Sequence, residues 1–280
     1  NKDETMFEDA CIDLGEATVM KALQRLKEDK SQGPDGIHPI VLKNCAATVA
    51  YPLSLIFNKS LNSGKVPKDW KLANVTPLFK KGSKSDAENY RPVSLTSVVC
   101  KVMAGLIREK MVKHLEDTGV FSNVQHGFTR GRSCLTNLLE AFENWTTALD
   151  EGFGLDIIYL DFSKAFDTVP HKRLCKKLRQ LGIGGKLLEW ITDFLSGRYS
   201  RVGVRGEFCS WMEVLSGVPQ GSVLGPLFFL TYVNDLPDWM KCQIRLFADD
   251  TKLWKGIGPK APETPGVLPR ENFEMLLCCR

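Results

Sequence analysis

Apolar positions along this chain switch between helical and strand spacing, and the switches mark out its elements. Between Glu16 and Glu28, Val19, Ala22, Leu23 and Leu26 fall on one helical face. Gly33-Pro34-Asp35-Gly36 ends that pattern with a turn signature. Val41 to Leu61 reads as a second helix with a bend expected at Pro52, and Lys71 to Phe79 as a strand followed by a polar loop, Lys80 to Asn89. Val98 to Leu115 is again helical, and Ser133 is placed to cap a helix running to Leu149. Ile157 to Phe162 is a short apolar strand, with helices expected at Lys172–Gln180 and Lys186–Leu195. Tyr199–Arg205 and Phe208–Val214 are expected to pair around Gly206-Glu207. A Pro-Gln-Gly turn leads from Ser216-Gly217 into an apolar helix ending at Val233. From Gly258 onward Pro259, Pro262, Pro265 and Pro269 break any period, so this tail reads as disordered or foreign to the domain.

The last ordered element is the most informative. Phe247-Ala248-Asp249-Asp250 sets two adjacent acids between the apolar runs Ile244-Arg245-Leu246-Phe247 and Lys252-Leu253-Trp254, which reads as a β-hairpin with the acids at its turn. An Asp pair there is ordinarily turn chemistry, and Asp161, which ends the Ile157–Leu160 run, is ordinarily a strand-end cap or ion-pair partner. Their combination points further. If the two strands lie side by side, three carboxylates meet at one sheet edge and repel one another unless divalent cations sit among them. Mg²⁺ prefers carboxylates together with substrate phosphates, and phosphoryl transfer uses two metals about 3.5–4 Å apart. Asp250 either completes such a shell or faces solvent.

Composition narrows the class. With 280 residues the chain has room for two or three subdomains, and 43% hydrophobic with 25% charged residues is an ordinary soluble balance. A net charge of +4 does not by itself imply nucleic acid. The distribution says more: Lys68, Lys71, Lys80, Lys81, Lys84 and Arg91 cluster, and Arg130 and Arg132 follow. Such a cluster is either a solvated loop or a face for a phosphate backbone. Nine scattered cysteines without a Cys-x-x-Cys pair, two of them adjacent at Cys278-Cys279, argue against a zinc site or disulfide scaffold and for a reducing intracellular compartment, nuclear or cytoplasmic. The longest apolar run, Val223 to Val233, is shorter than the roughly 20 residues that span a bilayer, so no membrane partner is expected.

Two further segments carry candidate chemistry. Phe166, in Ser163-Lys164-Ala165-Phe166-Asp167, is either a core aromatic or a ring lying against the sugar of a nucleotide, where its volume would exclude a 2′-hydroxyl. Ser216-Gly217-Val218-Pro219-Gln220-Gly221 is either a loop entering a helix near Ser222 or a close-approach loop whose Gln220 touches a nucleotide or template base.

In order and spacing, Leu160-Asp161-Phe162-Ser163-Lys164-Ala165-Phe166-Asp167, Ser216 to Gly225, and Phe247-Ala248-Asp249-Asp250 resemble motifs A, B and C of reverse transcriptases. Asn89-Tyr90-Arg91-Pro92-Val93-Ser94-Leu95 resembles that family's fingers motif, and Gln125-His126-Gly127-Phe128-Thr129-Arg130-Gly131-Arg132-Ser133 the next one. Gly33-Pro34-Asp35-Gly36-Ile37 is similar to the N-terminal extension of LINE-type (non-LTR) retrotransposon enzymes of the jockey and chicken-repeat group. The resemblance covers residues 30 to 257. It implies an α/β right-hand fold with fingers and an antiparallel palm sheet backed by helices, and RNA-directed DNA polymerisation of deoxynucleoside triphosphates on an RNA template and DNA primer. By the same resemblance, Asp161 and Asp249, with Asp250 and the Phe162 carbonyl, hold two Mg²⁺ ions, Mn²⁺ being the alternative. Phe166 is the sugar gate and Gln220 touches the incoming nucleotide. Lys80 and Arg91 meet its phosphates, and Arg130 and Arg132 line the template path.

The expected organisation is an N-terminal helical extension (1–62), fingers (63–150), a palm with inserted helices and a hairpin (151–257) and a non-homologous tail (258–280). After Lys252-Leu253-Trp254-Lys255 the family pattern of motif D, primer grip and thumb gives way to Gly258-Pro259-Lys260-Ala261-Pro262-Glu263. That departure predicts a truncated enzyme without a thumb and with little or no processive synthesis. The rival expectation is an inactive remnant that at most binds RNA or DNA through basic fingers. A palm-domain nucleotide cyclase fits the acids but leaves the fingers motifs and the Gln220 loop unexplained.

Overall fold

A computed structural model describes Phe7 and residues 12–258; the tail expected beyond Gly258, with Cys278-Cys279, lies outside the described residues. The chain is α/β, and its strands form a five-stranded and a three-stranded sheet among the described residues. It divides into two compact units, Asn1–Val120 with Lys164–Tyr232 and Phe121–Ser163 with Val233–Arg280, which cut the chain at points other than the expected segment boundaries.

The first unit is mainly helical. Helices α1 (Glu16–Gln24), α2 (Pro39–Asn44) and α3 (Ala46–Ser63) precede strands β1 (Leu72–Phe79) and β2 (Tyr90–Thr96). Helix α4 (Val98–Asp117) follows. After a gap in sequence come α6 (His171–Gln180), α7 (Gly185–Leu195), β4 (Arg198–Val204), β5 (Glu207–Phe208), β6 (Met212–Val214) and α8 (Gly225–Val233). The intervening α5 (Cys134–Asp150) and β3 (Gly154–Asp161) belong to the second unit, with β7 (Gln243–Phe247) and β8 (Asp250–Ile257).

Helical spacing in the first unit produces a buried seam of Leu23, Phe57, Met103, Ile107, Met111, Leu115, Leu178 and Trp190. Each such side chain contributes roughly 1.5–3 kcal/mol by leaving water. Trp190 keeps its indole N–H satisfied by donating to Ser60 Oγ at 2.9 Å. The single helix expected from Val41 to Leu61 is instead interrupted at Cys45 and runs on through Pro52. Pro52 and Thr48, whose carbonyl loses its i+4 partner, both lie on the exposed side, where water replaces the missing bond.

The expected β-hairpin is present with its turn one residue earlier, at Arg205-Gly206, since Val204 pairs with Glu207. Its second half is split: Gly203 opposes Phe208 whereas Ser200 opposes Met212, a one-residue shift that marks a bulge. Strand β2, for which the sequence pattern gave no element, tolerates Pro92 because it is the sheet edge, next to β1 in the order β2-β1-β4-β5.

The second unit is built on the antiparallel sheet β3-β8-β7. One face packs Ile244, Leu246 and Leu253 with Val124, Ile158 and Leu160. On the other, Ala141 and Trp145 of α5 meet Trp254 and Leu155. Ser133 caps α5 as the pattern predicts: its Oγ accepts from the Thr136 N–H at 3.2 Å, and Thr136 Oγ1 accepts from the Ser133 N–H at 2.8 Å.

Candidate active site

In the second unit, β3 and β8 are paired so that Asp161, the last residue of one, lies directly opposite Asp250, the first of the other. Residues facing each other in an antiparallel ladder share a face, with Cβ atoms roughly 4.5–5.5 Å apart. Both aspartates are exposed. Phe247 opposes Asp250, so Ala248-Asp249 is the two-residue loop of the β7–β8 hairpin and brings the third carboxyl-bearing residue to the same sheet end. Ala248 carries the positive φ, 56°, that a hairpin turn of the II′ kind requires at its first position.

That turn is braced from a segment to which the sequence pattern assigned no such task. Residues 124–126 run along β7: the Leu246 N–H donates to Val124 O at 2.9 Å and the His126 N–H to Leu246 O at 2.8 Å. Gln125, buried, accepts on Oε1 from the Ala248 N–H (2.9 Å) and from the Gly127 N–H (2.7 Å). Asn137, fully buried on α5, donates to Leu246 O at 3.0 Å and accepts from Lys252 Nζ. Gly127 passes so close to the turn that a Cβ on it would sit 2.2 Å from the Ala248 nitrogen. The signal for these roles was available only as the run Gln125-His126-Gly127 and as a polar residue on the buried face of α5.

Arg132 is half-buried: its guanidinium donates to His126 Nε2 at 2.8 Å and approaches Glu140 at 3.4 Å, while Arg245 donates to Glu140 at 2.9 Å. Arg130 lies exposed on the same loop. Because Arg132 can only donate, His126 Nε2 is the acceptor and Nδ1 carries the proton toward Thr136 Oγ1, 2.9 Å away. Burial pushes the imidazole below its ordinary range; Glu140, 3.3 Å away, pulls it up, and burial outweighs it.

The first unit holds the remaining candidates. The Lys80 N–H donates to Asn89 O at 2.8 Å, extending the β1–β2 ladder by one pair beyond Phe79–Tyr90. Arg91 opposes Leu78, so Lys80 and Arg91 share one face of this arm as diagonal neighbours. Both are exposed. Phe166 stacks on Phe229 of α8, ring centroids 4.3 Å apart and planes at 19°, so one ring face is committed to the core. The 216–221 loop wraps the segment after it: the Val218 N–H donates to Phe166 O at 2.8 Å and the Gly217 N–H to Val169 O at 2.9 Å. Gly217, at φ 84°, has no room for a Cβ, which would meet the Asp167 backbone at 2.5 Å. Gln220 donates from Nε2 to both carboxylate oxygens of Asp167 at 3.1 Å, and its backbone carbonyl accepts from the Ser94 N–H at 2.8 Å. Asp167 is therefore the side-chain partner of Gln220, quoted within a motif but given no role by the sequence pattern.

Among the described residues no three His, Cys, Asp or Glu side chains converge closely enough to hold an ion as they stand. The donor chemistry nonetheless suits a hard divalent cation: Asp161 and Asp250 oppose each other with Asp249 in the adjoining turn, all oxygen ligands. Like charges directly opposite destabilise a ladder, and a cation removes that penalty.

Carboxylates gathered at one sheet end, on a hairpin turn and the end of the neighbouring strand, suit two-metal phosphoryl transfer. Residues 79–254 match the family described as reverse transcriptase (RNA-dependent DNA polymerase), and this chain belongs to that family. It is similar to three proteins of Drosophila melanogaster. The probable RNA-directed DNA polymerase from transposon BS is 29% identical, over 84% of this chain and 27% of that protein. The corresponding protein of transposon X-element is 30% identical, over 83% and 26%. The RNA-directed DNA polymerase from mobile element jockey is 30% identical, over 83% and 26%. The chain thus spans about a quarter of the length of these curated relatives. Among the described residues no helix is long and apolar enough to cross a membrane.

Replacing Gly127 with Ala is expected to displace the hairpin turn and lower stability by roughly 1–3 kcal/mol, as overpacking does, read as a fall in urea midpoint. A second prediction concerns pH. Since burial holds folded His126 below its unfolded value of about 6.5, the unfolded chain binds more protons in that window. Stability is then present above about pH 6.5 and lost as pH falls toward the folded value. Urea midpoints between pH 7.5 and 5.5 should fall, and less so in His126→Gln.

Proposed function

We propose that this chain is an RNA-directed DNA polymerase domain of LINE type, joining deoxynucleoside triphosphates to the 3′-hydroxyl of a DNA primer along an RNA template. The observation that carries the reading is the register that sets Asp161 opposite Asp250 beside the Asp249 turn, in a chain of the reverse transcriptase family. That family generally depends on divalent metal. In this reading Asp161, Asp249 and Asp250, with the Phe162 carbonyl, hold two Mg²⁺ ions, or Mn²⁺. When bound, such ions activate the attacking hydroxyl and neutralise charge on the leaving phosphate.

The chain's own residues do the positioning. Lys80 and Arg91, diagonal neighbours on one face of the β1–β2 arm, suit a triphosphate, whose spreading charge they offset as the bond to the leaving group lengthens. Phe166, its one face fixed on Phe229, acts as a rigid wall against the sugar that excludes a 2′-hydroxyl. Gln220 contacts the nucleotide from a loop latched by backbone bonds to Phe166 and Val169. Arg130 and Arg132 line the template path, Arg132 with its plane already set by His126 and Glu140.

Incubation of the chain with a primed RNA template, Mg²⁺ and deoxynucleotides is expected to extend the primer. Asp249→Asn should reduce that extension by on the order of 10²–10³ or more, the scale of losing one electrostatic stabiliser. No extension, alongside RNA binding that weakens with salt, supports instead an inactive nucleic-acid-binding remnant.

A further inference from the structure

Gln220 and Asp167 form a side-chain pair that the loop's folding does not require. The 216–221 loop is already held to the 166–169 segment by Val218 N–H to Phe166 O (2.8 Å), Gly217 N–H to Val169 O (2.9 Å) and Ser216 Oγ to Asp167 O (3.0 Å). The pair is half-buried. Ordering a Gln side chain costs up to about 1.5–2 kcal/mol of rotamer freedom.

The polarity of the pair is unambiguous. An ionised carboxylate only accepts, so the amide must turn Nε2 toward Asp167, and both carboxylate oxygens lie 3.1 Å from it. This leaves Oε1 as the amide atom still available, and it takes no hydrogen bond among the described residues. Gln220 alone supplies side-chain hydrogen bonds to the Asp167 carboxylate among those residues.

We propose that Asp167 is a positioning residue for the nucleotide site: it locks the Gln220 amide in one of its two orientations, so that Oε1 is a fixed acceptor for a hydrogen-bond donor on the bound deoxynucleoside triphosphate. The inference rests on the polymerase reading and deepens it. Asp167 touches no nucleotide; it acts through Gln220. Without it the amide rotates and flips, and each binding event must order it afresh.

The test is a titration of the chain with dTTP and Mg²⁺, with melting midpoints recorded alongside. Asp167→Ala and Gln220→Ala are each expected to weaken binding roughly tenfold, the scale of one hydrogen bond. The double variant should bind no more weakly than Gln220→Ala alone, because the two act as a unit. Reversing the pair gives a sharper readout, since it keeps an oriented acceptor. Gln220→Glu alone sets two carboxylates against each other and should bind poorly, whereas Asp167→Asn with Gln220→Glu should recover most of the affinity. Unchanged binding in Asp167→Ala, additive losses in the double variant, or no recovery in the reversed pair overturns the inference while leaving the polymerase reading intact. Absence of dTTP binding by the unaltered chain contradicts that reading itself, and this inference falls with it.

Discussion

The register of β3 against β8 is the constraint that sets the three aspartates at one sheet end of the second unit. Side chains alternate along a strand, so a slip of one residue would carry Asp161 to the opposite face from Asp250. Packing on both faces prevents the slip. Ile158 opposes Leu253 and joins the cluster of Ile244 and Leu246, whereas Ile157 opposes Trp254, whose ring meets Trp145 edge-on at 5.8 Å. Two unlike apolar clusters thus read the same register from opposite sides. What they hold in place is electrostatically unfavourable. Two carboxylates a few ångströms apart repel by roughly 1 kcal/mol in water and more where solvent is displaced. A sheet end that keeps such a pair exposed is tolerable to the fold and useful to a cation.

The Ala248-Asp249 turn is a second constraint, and its support comes from far away in sequence. A positive φ at a residue other than glycine costs about 1–3 kcal/mol. At Ala248 that cost is offset by the Gln125 amide, which fixes the turn's N–H, by the 124–126 segment along β7 and by Asn137 on Leu246. The motif Gln125-His126-Gly127 is thereby a scaffold for the acidic hairpin within its own unit. Gly127 supplies the close approach and His126 anchors the Arg132–Glu140–Arg245 network.

Most of the elements were legible in the sequence because periodicity and caps act locally. The α5 cap at Ser133, the helices α6 and α7 and the acidic hairpin all follow from neighbours within a few residues. The departures come from tertiary context, which local pattern does not carry. Pro52 carries a strong helix-breaking signal, yet the helix runs on through it, because an exposed helix face lets water replace the lost bond, and the interruption falls at Cys45. Strand β2 was hidden by Pro92, which an edge position permits. Of the candidate site, Asp161, Asp249, Asp250, Phe166, Gln220, Lys80 and Arg91 were legible as motif residues. Gln125 and Asp167 stood inside quoted motifs, but their roles, like that of Asn137, were not legible, because each acts through a partner 53 to 123 positions away, as with Asp167–Gln220 and Gln125–Ala248.

The proposal that most depends on the β3–β8 register is that Asp161 and Asp250, with Asp249 beside them, are a ligand set for divalent cations. It is tested most directly by titrating the full chain with Mn²⁺ alone and following bound ion by paramagnetic resonance. Saturable binding to the unaltered chain is expected, with a large loss in Asp161→Asn and in Asp249→Asn while the melting midpoint holds or rises as carboxylate repulsion is relieved. Equal Mn²⁺ binding in the unaltered chain and both variants would contradict the claim.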